Sequence, residues 1–232
     1  MPEFNHFIFH CFQSFFLGII QGFTELLPIS STAHLKVVPH VIGWNDPGSS
    51  VSASLQLGSV FAIIFYFNRD VSAILKSFSS IFFHRKPFID ENTKLATYIF
   101  IASIPILIFG LFIKLFWNSF YDSLFRGLPS IAIISILMSI LLAFSEIYGQ
   151  KNKLFSDIKI RDIILLGFSQ CLAIFPGASR SGVTLTSALF SGIERRTAAR
   201  LSFLVGIPAI SISGFVEFFS LYKTSSIIDI LP

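Results

Sequence analysis

Two short stretches carry the side chains that could do chemistry: TELLPISSTAHLK at residues 24–36 and PGASRSGVTLT at residues 176–186. Glu25 offers a carboxylate, Ser31 a hydroxyl that could attack, and His34 an imidazole with a reference pKa of about 6.5, suited to moving a proton. Arg180 offers a planar fork that matches phosphate oxygens two at a time. Gln21 lies one helical turn before Glu25 and shares its face until Pro28 breaks the helix. Ser30, Ser31 and Thr32 are hydroxyls and good N-caps for a half-helix starting near Ala33, whose unpaired N–H groups and positive dipole end suit a phosphate. In the second stretch Gly177 and Gly182 permit a tight turn and close backbone approach. Ser179, Ser181 and Thr184 add hydroxyl donors. Together these residues spell a phosphate-binding site with a carboxylate and an imidazole beside it.

Each residue also has a plainer reading. A lone histidine near a membrane edge is usually interfacial, and His6 and His10, without a comparable Glu and Ser cluster, are read as structural. The Glu and Ser cluster around His34 reverses the balance there. Serine and glycine in membrane helices commonly serve close packing, which suffices for Ser187 and Ser211 but not for two serines flanking an arginine. Arg180 could pair with Glu25 solely to make both charges tolerable. Glu217 reads as a helix-end residue that caps or snorkels, and Arg195, Arg196 and Arg200 as cytoplasmic anchors. Cys11 and Cys171 lie in apolar runs and read as small buried hydrophobes, supporting neither a disulfide nor a metal site.

The elements that must position these groups are membrane helices. The chain is 53% hydrophobic and 16% aromatic, with 29 Phe and only 13% charged residues, about half the usual charged fraction of a soluble domain. Its long uncharged runs are continuously apolar, which suits helices of about 20 residues and excludes the alternation of a membrane barrel. The +4 net charge reflects orientation rather than nucleic-acid binding. The first run lacks the basic region and cleavage site of a signal peptide and is read as mature structure. LGIIQGFTELLPISST from Leu17 and LGFSQCLAIFPGASRS from Leu166 share Leu-Gly-x-x-Gln followed, with a gap of one, by Pro-x-x-Ser, 149 residues apart. Broken helices in corresponding halves point to a site at a repeat interface.

Charge counting gives a topology. If residues 4–45 and 162–194 each dip into the membrane and return, twelve basic residues share one side: Arg69, Lys76, Arg85, Lys86 and Lys94, then Lys151, Lys153, Lys159 and Arg161, then Arg195, Arg196 and Arg200. Four (Lys36, Lys114, Arg126, Lys223) fall on the other. The positive-inside rule favours this arrangement over complete crossings throughout. The expected fold is therefore all-α and polytopic, an inverted repeat with two re-entrant hairpins. Full crossings are expected near 47–67, 95–113, 127–145 and 201–222, with loops at 68–94 and 145–161. The first repeat would fill 1–148. The second, 149–232, holds a hairpin and one crossing and is expected to be truncated.

TELLPISSTAHL, PGASRSGVTL and LQLGSVFAIIFYFNRD at 55–70 resemble segments of the membrane undecaprenyl-diphosphate phosphatases, also called bacitracin-resistance proteins, and the resemblance runs over nearly the whole chain. It implies hydrolysis of undecaprenyl diphosphate to the monophosphate and inorganic phosphate in the bacterial plasma membrane, recycling the lipid carrier for cell-wall polymers and conferring bacitracin resistance. Glu25, Ser31, His34 and Arg180 fall on positions regarded as essential in that family, and Thr184 with the hydroxyls around Arg180 on its phosphate-binding loop. A divalent cation, Mg2+ or Ca2+, is implied, with Glu25 as its ligand. Gln21 stands where many members have Glu, Ala33 where Gly is usual, and two C-terminal membrane segments of the family are not matched. On this reading Ser31 attacks the terminal phosphorus, His34 moves the proton and Glu25 orients His34 or holds the cation; Glu25 activating water directly is the other route. The partners are the lipid diphosphate and the bilayer, a homodimer is left open, and the site is expected to open outward. A lipid-phosphate flippase or anion transporter, or an inactive truncated paralogue, are the competing functions.

Overall fold

The computed structural model describes residues 2–45, 48–84, 88–117 and 124–224. Arg85, Lys86 and Pro47 lie outside the described residues, as do the side chains of His6, Glu217 and Lys223. The described chain is helical, with no strand among those residues. In order the helices are α1 (Pro2–Leu26), α2 (Ser31–Val41), α3 (Gly48–Tyr66), α4 (Asn68–His84), α5 (Glu91–Phe112), α6 (Leu128–Tyr148), α7 (Ile160–Gln170), α8 (Arg180–Phe190) and α9 (Arg195–Thr224). Four stretches are long and apolar enough to cross a membrane: Phe7–Leu26, Glu91–Trp117, Leu128–Tyr148 and Arg195–Val216.

The expected crossing at 47–67 is not among these four: Ser54–Tyr66 qualifies only together with Asn68–Phe78 as a bent pair, whereas Phe7–Leu26, expected as part of a hairpin, qualifies alone. Two boundaries also differ from the sequence reading. The expected loop after residue 68 is largely the helix α4, joined to α3 through an 86° bend. Its Val71, Ile74, Phe78 and Ile81 recur at helical spacing; Ile74 is buried and Ile81 packs against the main core. The interspersed Arg69, Lys76 and serines disguise that face in a linear count. The last crossing begins at Arg195, not near 201. Arginines at a helix N-terminus oppose the dipole. Here Arg195 is bonded twice to the Glu146 carboxylate, at 2.6 and 2.9 Å, and Arg200 pairs with Asp70, so both cations are matched. Cys11 is exposed on α1 rather than buried.

The basic residues sort into two sets of contacts. Lys94 donates to the carbonyls of Phe155 and Ser156, Lys151 and Arg195 share Glu146, and Lys153 pairs with Asp162. Far from these in sequence, Lys36 donates to the Arg126 carbonyl at 2.6 Å.

Two helix-break-helix units carry the chemical residues. In the first, α2 folds back along α1 until Gln13 Nε2 donates to the Asn45 carbonyl at 3.0 Å, with Trp44 packed edge-on against Phe9, Phe12 and Phe16. The paired part thus reaches back to Phe9, and the start of α1 runs beyond it. In the second, α7 ends in a 3-10 turn at Cys171–Ile174 and α8 returns. Its base is tied where Asn152 and Lys153 N–H groups both donate to the Gly192 carbonyl. Helices α2 and α8 are each 11 residues long and start 149 positions apart, at Ser31 and Arg180. Helix α6 serves as a ruler: Gly177 at the second break receives a bond from Ser135 Oγ, while Leu189 at the far end of α8 lies against Ser145 and Gly149. With 1.5 Å rise per residue, the break sits within about 10 Å of the Leu128 end of α6.

Candidate active site

Helices α1, α2, α8 and α9 converge on one carboxylate. Pro28 halts α1, and the chain turns through Ser30, whose φ of 39° is in the left-handed region. Ser30 then caps α2 by accepting from the Ala33 N–H at 3.3 Å. That cap places Ser31 in the first turn of α2 with its hydroxyl directed back at the end of α1. Ser31 Oγ donates to Glu25 Oε2 at 2.7 Å, and Gln21 Nε2 donates to the same oxygen at 3.2 Å. The other oxygen, Oε1, accepts from Arg180 Nη2 at 3.1 Å across 155 residues of sequence. The pair is buried, with side chains only 8% and 10% exposed for Glu25 and Arg180, in surroundings where either charge alone would be costly.

The breaks themselves touch. Ser181 Oγ donates to the Leu27 carbonyl at 3.1 Å, and a side chain at Gly182 would come within 3.3 Å of the Pro28 carbonyl. Gly182 is therefore the close-approach glycine that the sequence suggests. Ser179 caps α8 by accepting from the Gly182 N–H, and its hydroxyl contacts that of Ser181 at 3.1 Å. Thr184 is fully buried and joins its hydroxyl to that of Ser202 on α9.

The structure distributes the expected residues unevenly. Glu25, Ser31, Gln21 and Arg180 form one bonded cluster. His34 does not touch Glu25 through any described bond: its Nδ1 lies 2.9 Å from the Ser30 carbonyl, which holds the ring by that nitrogen. The Ser30 carbonyl, rather than Glu25, is the partner of His34 Nδ1, and Glu25 accepts from Ser31. His34 shares a face of α2 with Ser31, three residues earlier. Thr32 is exposed. Gly177, with φ of 100°, packs its loop on α6. Ser202 was absent from the sequence reading; its carbonyl accepts from Arg180 Nη1 at 3.1 Å. A serine inside an apolar crossing carries no signal distinguishing this from ordinary packing.

The cation ligand that the resemblance implies, Glu25, is held by its neighbours. Both Glu25 oxygens are engaged by protein donors, and among the described residues no group of three or more His, Cys, Asp or Glu side chains could hold a metal.

The sequence comparisons point in one direction. The family model of "Bacitracin resistance protein BacA" matches residues 14–231. A protein named undecaprenyl-diphosphatase from Prochlorococcus marinus (strain NATL1A) is 68% identical over 224 residues, covering 96% of this chain and 80% of the relative. Its namesake from strain NATL2A is 67% identical over the same length. Another, from Prochlorococcus marinus (strain MIT 9313), is 48% identical over 222 residues, 96% of this chain and 74% of its own.

Proposed function

The chain belongs to the BacA bacitracin-resistance family, and from that membership together with the Glu25 cluster we infer that it is a membrane hydrolase converting undecaprenyl diphosphate to undecaprenyl phosphate and inorganic phosphate. The observation that carries the reading is the shared carboxylate: Glu25 holds a potential nucleophile, Ser31, on one oxygen and a phosphate-binding cation, Arg180, on the other.

The chemistry follows from that geometry. An entering diphosphate competes with Glu25 for the Arg180 guanidinium, and its oxygens also meet the first-turn N–H groups of α2, which have no partner within the helix. Giving up Arg180 leaves Glu25 free to take the Ser31 proton along the existing 2.7 Å bond. Ser31 Oγ then forms a bond to the terminal phosphorus, the bridging P–O bond breaks, and undecaprenyl phosphate leaves. Arg180 neutralises charge on the transferring phosphoryl group. Water next attacks the phosphoserine while His34 Nε2 takes its proton; the Oγ–P bond breaks, Ser31 regains its proton from Glu25, inorganic phosphate leaves, and His34 gives its proton up to solvent. The direct alternative, Glu25 activating water without a covalent intermediate, is separated by the experiment below.

The two helix-break-helix units act as re-entrant hairpins of an inverted repeat, 1–148 and 149–232. Support comes from the equal lengths of α2 and α8 at constant offset, from the contact between their tips, and from the separation of Lys36 and Arg126 from the larger basic set. With the larger basic set on the cytoplasmic side of the plasma membrane, the site opens outward past the partly exposed Ser31 and His34.

The test is phosphate release from undecaprenyl diphosphate by the purified chain in detergent. Wild type should turn over, and Ser31→Ala should lose about 10³-fold or more. Acid quenching of wild type should trap phosphoserine at Ser31. Absence of wild-type release would overturn the function, and full turnover by Ser31→Ala would overturn the covalent route in favour of activated water.

A further inference from the structure

We propose that Gly206 of α9 is a positioning residue: by having no side chain it creates the slot in which the Arg180 guanidinium lies. A Cβ built on Gly206 would fall 1.4 Å from Arg180 Nη1, 2.3 Å from Cζ and 2.9 Å from Nε. These are the atoms of a rigid plane, and the plane cannot step aside freely. Nη1 is fixed to the Ser202 carbonyl and Nη2 to Glu25, each at 3.1 Å. Ser202 and Gly206 are one turn apart and present the same face of α9. The guanidinium therefore lies against bare helix backbone, Nη1 closest, and its Nε is buried with no hydrogen-bond partner.

The arrangement explains a division of labour. Helix α8 supplies the arginine, but α9 decides where its charged end points, because only the Gly206 surface lets Nη2 reach across to the first hairpin. A planar guanidinium spans both bonds at once; a compact ammonium on a lysine stem lacks the fixed fork that makes them. The role in turnover rests on the phosphatase reading above, whereas the slot itself does not.

A double-mutant cycle tests it. Gly206→Ala should lower kcat about 10²–10³-fold, as loss of a transition-state donor does, close to the effect of Arg180→Ala. In the Arg180→Ala background, where the slot is empty, adding Gly206→Ala should change kcat by less than about twofold, because residues acting as a unit are non-additive. Gly214→Ala, on the same helix but packed only against the Leu57 side chain, should leave kcat near wild type. Multiplication of the two single effects would overturn the proposal. A parallel cycle in melting temperature reads the slot without activity: Gly206→Ala should lower it in wild type and not in the Arg180→Ala background. A chain that folds as the double variant but not as Gly206→Ala supports the slot, and one that fails to fold as either contradicts it. If wild type releases no phosphate, the functional reading fails while the melting cycle still decides the slot.

Discussion

Glu25 is the residue on which the account turns, because one buried carboxylate satisfies three donors from three positions. Removing it should leave Arg180 buried without its anion, at a cost of about 3–5 kcal/mol. Glu25→Ala should therefore melt well below wild type in detergent, Ser31→Ala only slightly below, and the Glu25→Ala/Arg180→Ala double variant above Glu25→Ala, because it strands no charge. A double variant that sums the two single losses would show that the residues do not pair. This cluster was legible in the sequence for an energetic reason. An ionisable group inside an apolar run is costly enough to mark itself, so Glu25 and Arg180 stand out unaided, and Ser31 stands out beside them. Ser202 and Gly206 could not be read, since a backbone carbonyl has no letter in the sequence and a missing side chain shows its purpose only when the neighbour that fills its place is known.

Among the elements, the paired half-helices α2 and α8 set the site, and their breaks are built differently. Ser30 reaches its capping position through a left-handed backbone, whereas Ser179 caps from an extended one. The second break relies on Gly177, where a Cβ would meet the Ile131 carbonyl at 2.5 Å. Gly43 also has positive φ, 73°, but open space around it. Gly43→Ala should cost only backbone strain, about 1 kcal/mol, while Gly177→Ala should cost about 3 kcal/mol or more by also lifting the loop from α6. Equal melting temperatures for the two variants would mean that the loop is not seated on α6. The repeat was visible through Leu-Gly-x-x-Gln, but its register was not: the sequence match needed a gap, whereas the capping serines lie a constant 149 residues from Ser30 to Ser179. Helix α4 was missed because charges and serines interrupt its apolar face, so that it reads as a loop until its periodicity is weighed against its composition.

At the scale of the molecule, two distant segments meet at their tips, with the rest of the first hairpin against α3 and the second wrapped by α5, α6 and α9. Phosphate chemistry then depends on a contact made by Leu27 and Pro28 with Ser181 and Gly182. The most direct measurement is a thiol cross-link across it. In a chain carrying Cys11→Ser and Cys171→Ser, Leu27→Cys and Ser181→Cys should be joined within the molecule by a short bifunctional reagent, leaving the two halves covalently linked after proteolysis between residues 90 and 150. A control pair placing one thiol at exposed Val41 instead of Leu27 should not link. Halves that separate after treatment of the Leu27/Ser181 pair would contradict the account, because Glu25 and Arg180 could then not share a site.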